Sequence, residues 1–405
     1  MRKQLIRLFV GFLTLALVSQ PVSAAAEEIN TVVATIPVGS GPSAVAFSPD
    51  GSTAYVPSGN FGSTGLYLID TAARATTGSP ISTGGLQRAV AVSPNGSTVY
   101  VTSGLGSWKL FPINAATSTA GTGVPVGATP YDIAVTSDGA TAFTTASGVD
   151  QIDVTDLSTM TVTTTISVGD EPFGVALSPD NTSLYVTNAG DNTVSVIQTA
   201  THTVTPPIAV GNGPYGLAVS PNGEYVLAAN SSSNSVSVIQ TSDDTVTTTI
   251  PVGTQPLRIA FAPNGEFAYV TNAGSDSVSV IRMSDFTEVT TIAVGDSPIG
   301  IAVTPSGEFV YVTNQSDNTV SVIRLLPQPS PANYPTAPLQ QFGVPANTQQ
   351  HQCADLAPDS VNEPGIANLT RQGWSLSGAQ WVNNGTGGPV CSRQPYYNGF
   401  NWSVR

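Results

Sequence analysis

The chain has 405 residues, of which only 9% are charged, while its 39 Gly and 31 Pro together exceed one residue in six. The formal net charge is −14, so the chain lacks the clustered Lys and Arg that a surface for nucleic acid or anionic membrane requires. Abundant Thr, Ser and Val among many turn residues favour β structure over helix.

The first 24 residues have the features of a secretory signal peptide. Three cations precede an apolar stretch over residues 8–18, and residues 22–24 are small enough for a signal peptidase to read. An uncleaved anchor is disfavoured because this apolar stretch is too short to span a bilayer. Cleavage of the signal peptide removes three of the 12 cations and none of the 26 anions, which leaves a net charge near −17. The sequence therefore predicts export to the periplasm, the cell surface or the medium.

Residues 29–36 form a strand-like segment that precedes a long internal repeat. The repeat is marked by a turn of the type Ser-Pro-Asn-Gly, and successive turns lie 42–45 residues apart. A fixed period of this length is the signature of a repeat architecture. The seven turns begin at Ser48, Ser93, Thr136, Ser178, Ser220, Ala262 and Thr304.

Each unit contains four short strands, here called a to d. In the unit over residues 210–250 we predict strand a at Tyr215–Ser220, b at Glu224–Ala229, c at Ser235–Gln240 and d at Thr245–Ile250. Pro and Gly shape the turn between a and b, because Pro presets φ and Gly accepts a positive φ. Four antiparallel strands repeated seven times predict an all-β fold, a seven-bladed β-propeller of four-stranded blades.

Two further patterns agree with a closed ring. A small Ala recurs in every strand a, as expected where blades converge near the axis. The last unit stops after strand c at Arg324, so we predict that residues 29–36 supply its missing strand d and leave no open edge. The recurring alanines are Ala46, Ala91, Ala134, Ala176, Ala218, Ala260 and Ala302.

The repeat also resembles a known family. The segments 185–188, 269–272 and 311–314 all read Tyr-Val-Thr-Asn, beside Val-Gly-x-x-Pro and Ser-Pro-x-Gly elements, and resemble the YVTN-type β-propeller repeat over about residues 29–324. The resemblance implies the propeller fold. It does not select a function, because such repeats occur in archaeal surface-layer proteins and in exported bacterial proteins, one of them reported to bind DNA. More distant relatives include lactonases and a streptogramin lyase.

We interpret the Tyr-Val-Thr-Asn motif as scaffold, with Tyr and Val packed between blades and Asn in the b–c turn. Enzymes on this fold would use the channel mouth, on the face of the d–a and b–c loops. The repeats contain one histidine, His202, in a c–d loop of the opposite face, where we expect it to be solvated. No His, Asp and Glu grouping has metal-ligand spacing. The sequence therefore predicts no enzyme, no cofactor and no metal.

Candidate ligand-binding residues lie around the predicted mouth, at the start of each strand a and in two b–c turns. They form either a packed plug or a shallow site for a neutral ligand or a peptide. They are Phe61, Arg88, Trp108, Tyr131, Asp132, Phe173, Tyr215 and Arg258.

The C-terminal region is a different unit. A Pro-rich linker over residues 327–346 precedes a module at 347–405, which holds both cysteines of the chain. Because the chain is expected to be exported, we predict a disulfide between Cys353 and Cys391. The further binding candidates Trp374, Trp381 and Trp402 either stack on sugar rings or form a small β core.

Together these features predict a signal peptide at 1–24, a propeller at 25–326, the linker and the small module. The expected function is non-enzymatic binding or scaffolding at the cell envelope, with a protein or a cell-wall glycan as partner. We expect a monomer that binds no nucleic acid and inserts in no membrane once the signal is cleaved. Two alternatives remain, a propeller enzyme of lactonase or lyase type and a purely structural protein like those of surface layers.

Overall fold

The computed structural model describes residues 30–59, 65–104 and 108–325, together with the backbone of four short strands between residues 374 and 404. The chain divides into two compact units, Met1–Leu326 and Pro327–Arg405. Within the described residues, no helix is long and apolar enough to cross a membrane.

The first unit is a seven-bladed β-propeller, as the repeat predicts. Each blade is an antiparallel sheet with its strands in the order a, b, c, d. The a strands of neighbouring blades contact each other, which places them innermost. In order of blades 1 to 7, the a strands are β2 (Ala46–Phe47), β6 (Leu86–Val92), β11 (Pro130–Val135), β15 (Pro172–Leu177), β20 (Pro214–Val219), β24 (Pro256–Phe261) and β28 (Pro298–Val303).

The middle strands of the blades each have six residues, except β7 with seven. The b strands are β3 (Thr53–Ser58), β7 (Thr98–Gly104), β12 (Thr141–Ala146), β16 (Ser183–Asn188), β21 (Tyr225–Asn230), β25 (Phe267–Asn272) and β29 (Phe309–Asn314). The c strands are β4 (Gly65–Asp70), β8 (Lys109–Asn114), β13 (Gln151–Asp156), β17 (Thr193–Gln198), β22 (Ser235–Gln240), β26 (Ser277–Arg282) and β30 (Thr319–Arg324).

The outer d strands vary more. In blade 4 the strand is interrupted at Pro206 and Pro207, because proline has no N–H to donate to the ladder. The continuous d strands are β5 (Ala75–Ile81), β14 (Thr161–Ser167), β23 (Thr245–Pro251) and β27 (Thr287–Ala293). The split ones are β9 (Thr119–Ala120) with β10 (Val124–Pro125) in blade 2, and β18 (Thr203–Val204) with β19 (Ile208–Ala209) in blade 4.

The ring closes as predicted. Strand β1 (Thr31–Pro37) pairs antiparallel with β30 and completes blade 7, one or two residues later in the sequence than expected. Its Ile36 is 1% exposed and packs in one cluster with Tyr311 of blade 7 and Val56 of blade 1. The N-terminal strand therefore covers the edge that blade 7 would otherwise expose.

The second unit is described only as backbone. It contains two antiparallel hairpins, β31 (Trp374–Ser377) with β32 (Gln380–Asn383) and β33 (Pro395–Tyr397) with β34 (Trp402–Val404). The three candidate tryptophans lie in these strands. Both cysteines and the whole linker lie outside the described residues, so the predicted disulfide is untested.

Candidate functional site

Six of the a strands begin with a β-bulge at the mouth. In blade 4, Pro172 pairs with Asn188 and Val175 pairs with Val186, so Phe173 and Gly174 lie between the two pairs. A bulge breaks the ladder and redirects side chains. The same shift occurs in blades 2, 3, 5, 6 and 7, so the predicted mouth positions are the two bulged residues of each strand.

In blades 3, 4 and 6 a threonine of strand b, which in blades 4 and 6 is that of the Tyr-Val-Thr-Asn motif, satisfies the backbone groups that the bulge frees. Thr187 Oγ1 accepts the N–H of Gly174 at 2.8 Å and donates to the carbonyl of Tyr215, in the next blade, at 2.6 Å. Thr145 and Thr271 make the same pair of bonds in blades 3 and 6. The motif therefore ties neighbouring blades together at the mouth.

The asparagine of the motif is not the turn residue that the sequence suggested. Asn188 is completely buried at the end of strand b, and its Nδ2 donates to Thr193 and Ser195 of strand c. The turn residue is Asn192, with φ 58°, whose Oδ1 accepts the N–H of Gly213 in the next blade at 2.8 Å. Short polar side chains tolerate this left-handed conformation, which explains the Asp or Asn found there.

The first bulged residues of blades 3, 4 and 5 are aromatic and form one cluster. The rings of Tyr131 and Phe173 meet edge to face with centroids 4.5 Å apart, and Phe173 stacks on Tyr215 at 4.8 Å. Both arrangements are favourable for aromatic pairs. Burial raises the pKa of Tyr215, so this hydroxyl stays neutral at physiological pH.

The second bulged residue is small where neighbouring strands approach closely. A Cβ at Gly174 would lie 2.7 Å from the carbonyl oxygen of Tyr215, and one at Gly216 would lie 2.4 Å from that of Leu257. Asp132 and Arg258 are the exceptions at this position. Their side chains meet in an ion pair, although they belong to blades 3 and 6 on opposite sides of the ring.

This ion pair spans the channel, and each of its side chains makes a further hydrogen bond to a backbone group. Asp132 also accepts the N–H of Val175 at 3.2 Å, and Arg258 Nη2 donates to the carbonyl of Tyr131 at 3.3 Å. The side chains are only 17% and 15% exposed. Burial opposes the charge of Arg258, but the carboxylate of Asp132 and the hydroxyl of Tyr215 raise its pKa above the usual value. The centre of the mouth is therefore filled.

Arg88 completes the cluster but has a different environment. Its guanidinium lies 4.5 Å from the centroid of the Tyr131 ring, and its backbone carbonyl accepts the hydroxyl of Ser43 at 2.6 Å. Its Nε is buried without an acceptor, and no carboxylate in the described part of the chain pairs with it.

The structure thus brings together Arg88, Tyr131, Asp132, Phe173, Tyr215 and Arg258. Trp108 is 47% exposed, and no ring contact among the described residues joins it to this cluster. Phe61 lies outside the described residues.

Asp153 is a buried carboxylate that sequence patterns alone did not single out. This carboxylate is 2% exposed in strand c of blade 3, where it accepts the N–H of Gly127 at 2.5 Å and the side-chain amide of Gln151 at 3.0 Å. Burial raises its pKa. A comparison of the repeat units would have revealed it, because blades 4 and 5 have Ser195 and Ser237 at the position in strand c that Asp153 occupies in blade 3.

His202 lies on the opposite face, as predicted, but it lines a cavity. The cavity has a volume of about 490 Å³ and lies between blades 3 and 4, with Phe143 and the carboxylates of Asp138 and Asp156 also in its wall. In the residues that the structure describes, no group of three or more His, Cys, Asp or Glu side chains has a geometry suited to a metal ion.

Comparisons with known proteins agree with the fold. Residues 178–274 match the family model described as a YNCE-like beta-propeller, and residues 244–330 match that of the lactonase with a 7-bladed beta-propeller. No curated protein matches the chain. Among solved structures, the chain is similar to a chain titled Kuenenia stuttgartiensis hydrazine synthase, with a TM-score of 0.63 and 22% identity over 75% of this chain and 99% of that one.

These similarities indicate a propeller and do not assign an activity. The family models each match less than half of the chain, and 1724 chains of solved structures match it. A fold so widely used hosts many functions. The side chains at the mouth are therefore the features that bear on function.

Proposed function

We propose that the chain is an exported, non-enzymatic binding protein that uses the mouth face of its propeller to hold a partner at the cell envelope. The observation that carries this proposal is the cluster of aromatic and arginine side chains contributed by blades 2 to 6. Aromatic residues and arginine are the types most enriched where binding energy is concentrated. They stand on a rigid ring, and binding residues are commonly held this way by a scaffold.

The filled channel favours binding over catalysis. A substrate that entered the channel would have to displace the ion pair between Asp132 and Arg258, both mostly buried. Separating such a pair leaves two uncompensated charges. A partner that lies across the mouth would not disturb the pair. We therefore expect a shallow complex with a protein segment or a glycan.

The test compares binding by the mature chain and by mouth variants on peptide and glycan arrays. Tyr131→Ala combined with Tyr215→Ala should abolish the signals that the unaltered chain gives. Tyr225→Ala is the matched control, because Tyr225 also packs edge to face on an aromatic ring, that of Phe286 at 5.1 Å, but lies away from the mouth. Equal loss in both variants, or unchanged binding in the mouth variant, would contradict the proposal.

The match of residues 244–330 to the lactonase model keeps a propeller enzyme as the alternative. Turnover of lactones by the mature chain, abolished by Asp132→Asn, would establish that alternative. A purely structural role like that of surface-layer proteins predicts ordered lattices of the purified chain in electron micrographs.

The C-terminal module gives the proposal a second binding element. Its hairpins contain Trp374, Trp381 and Trp402, and we expect any binding to insoluble polysaccharide to need residues 347–405. Pull-down on cell-wall material should therefore separate the mature chain, which binds, from the 25–326 fragment, which does not. Full binding by the fragment would assign the activity to the propeller.

We also expect a disulfide between Cys353 and Cys391 in the exported chain. A crosslink that closes a loop of this size stabilises by roughly 3–4 kcal/mol in the chain-entropy estimate. Mass spectrometry of the non-reduced protein should find the linked peptides. Alkylation of both thiols without reductant would contradict the crosslink.

The remaining proposals concern the class of partner, the oligomeric state and the location of the chain. Its acidic charge favours a partner other than nucleic acid, and no cofactor is part of the proposed function. We propose a monomer in the periplasm, at the surface or in the medium. Fractionation of expressing cells and light scattering of the purified chain test these points.

A further inference from the structure

We propose that Arg88 binds a single carboxylate of a peptide segment docked at the mouth. This inference rests on the proposed function and deepens it, because it names the chemical group that the mouth recognises. It follows from the place of Arg88 at the mouth, where its guanidinium lies on the Tyr131 ring and has no carboxylate partner among the described residues.

Arg88 is a partly buried cation without a carboxylate partner among the described residues. By contrast, Arg258 is paired with Asp132, and Arg282 with Asp285. The two undescribed segments of the neighbouring b–c loops, 60–64 and 105–107, contain no Asp or Glu in their sequence. The Nε atoms of both Arg88 and Arg258 are buried without an acceptor, so the orphan Nε does not distinguish Arg88. A ligand carboxylate that pairs with the guanidinium of Arg88 would add charge-assisted hydrogen bonds that no described carboxylate supplies.

The side chain is also held in place for such a ligand. The Tyr131 ring supports the guanidinium at 4.5 Å, and Tyr131 is itself packed against Phe173. Asp132, the acidic side chain among the candidate residues of the mouth, is already paired with Arg258. An arginine fork fixed in this way is suited to two parallel hydrogen bonds with one carboxylate. Little side-chain freedom would be lost on binding.

The surroundings favour an isolated carboxylate over a polyanion. Exposed acidic side chains lie in the loops of the same face and repel a chain of repeated negative charges. They include Asp150, Asp170, Glu171, Asp191, Asp276, Asp296 and Asp317. The aromatic rings beside Arg88 favour apolar neighbours of the carboxylate. A peptide with one acidic group next to aromatic or aliphatic residues meets both conditions.

The experiment follows the Nε–Hε resonances of arginine in the ¹⁵N-labelled mature chain by NMR. N-acetyltyrosine, which carries one carboxylate beside a ring, should shift the Arg88 resonance with saturation. N-acetyltyrosinamide, its uncharged analogue, should bind about tenfold more weakly. Arg88→Met assigns the resonance and should remove the preference for the carboxylate. Arg88→Gln, which also removes the charge and the Nε–Hε resonance, serves the same purpose if the first variant does not fold.

Arg74→Met is the matched control. Arg74 also lies over an aromatic ring, 4.8 Å from the centroid of Phe309, but at the opposite face. Loss of this cation should leave the preference for the carboxylate unchanged, and the Arg74 resonance should not move in the wild-type titration.

Three results would overturn the inference. The first is an Arg88 resonance that moves no more than that of Arg74. The second is equal affinity for the two tyrosine derivatives. The third is tighter binding of trigalacturonate than of N-acetyltyrosine, which would indicate an acidic glycan. The arrays test the proposed function separately, because mouth-dependent binding that survives Arg88→Met would contradict only the carboxylate site.

Discussion

At the scale of single residues, one threonine hydroxyl bonds to the backbone groups that a β-bulge would otherwise leave unpaired. Thr187 accepts from its own blade and donates to the next, so the bulge at Gly174 leaves neither group unpaired. Blade 5 has Ala229 at this position, so the ring tolerates the loss of one such link. The motif residue therefore stabilises the contact between neighbouring blades.

Replacing Thr187 by Val tests this role. The new side chain has the same shape but no hydroxyl, so the N–H of Gly174 and the carbonyl of Tyr215 lose their partner. Leaving such buried groups unpaired costs about 1–3 kcal/mol of the free energy of unfolding. Denaturant titration measures it, with the exposed Thr249→Val in strand d as control. Equal stability of the two variants would show that the bridge contributes nothing.

The buried Asp153 gives a prediction with a defined pH dependence. Burial raises its pKa in the folded state, so the folded protein binds this proton more readily than the unfolded chain and the charge destabilises the fold at neutral pH. Asp153→Ser restores the residue of blades 4 and 5 and should increase the free energy of unfolding at pH 7. The gain should shrink as the pH falls, because the wild type then becomes protonated and loses its disadvantage.

Asp180→Ser is the control with the opposite sign. Hydrogen bonds from the hydroxyl of Ser178, and then from the backbone N–H and the hydroxyl of Thr182, lower the pKa of Asp180. Its contribution to stability is present above the unfolded pKa and disappears as the pH falls through the lower folded value. The variant should therefore be less stable than wild type at neutral pH, with the difference fading in acid. Parallel pH profiles of the two variants would refute the assignment for Asp153.

At the scale of elements, the strands follow from local patterns and the bulges do not. Strand c of blade 5 occupies Ser235–Gln240 as predicted, while strands a and b of that blade begin or end one residue away from the predicted bounds. The alternation of apolar residues and the Pro-Asn-Gly turn specify these strands locally. The bulges depend on how neighbouring a strands converge at the axis.

Deleting Thr31–Pro37 tests the closing strand. Without it, strand β30 becomes an exposed edge and Ile36 no longer fills the space between blades 7 and 1. An open edge of this kind promotes pairing between chains. We expect aggregation in size-exclusion chromatography and a lower melting temperature. Deletion of residues 25–29 serves as the control. A soluble, monomeric Thr31–Pro37 deletion with the melting temperature of the wild type would contradict the role of β1.

At the scale of the whole molecule, one ion pair links blades that no backbone hydrogen bond connects. Asp132 and Arg258 are 126 residues apart in the sequence and meet across the channel. The equivalent positions of the other blades hold Gly or Ala, so the larger side chains that meet in the channel are those of Asp132 and Arg258. The pair fixes the shape of the mouth on which the proposed binding depends.

A double-mutant cycle tests this link. Asp132→Ala or Arg258→Ala alone leaves a mostly buried charge without its partner and should cost roughly 1–3 kcal/mol, less than a fully buried pair because both side chains keep some exposure. The double variant removes both charges and should cost less than the sum of the singles by about 1 kcal/mol. Strict additivity in thermal or denaturant unfolding would show that the two side chains do not interact.

The sequence by itself determined the number of blades, their strand order, the closing strand and the face on which the candidate residues lie. These features depend on turn chemistry, on alternation with a period of two and on a period of about 42 residues, all of which are readable along the chain. It also placed Arg88, Tyr131, Phe173 and Tyr215 at one mouth.

Only the tertiary structure decided which of these residues touch. The partner of Asp132 is Arg258 because ring closure brings blades 3 and 6 face to face across a channel lined elsewhere by small residues. Among the described residues, no carboxylate pairs with Arg88. Contacts of this kind depend on the distances between blades, and those distances are set by packing over the whole ring and by no local stretch of sequence.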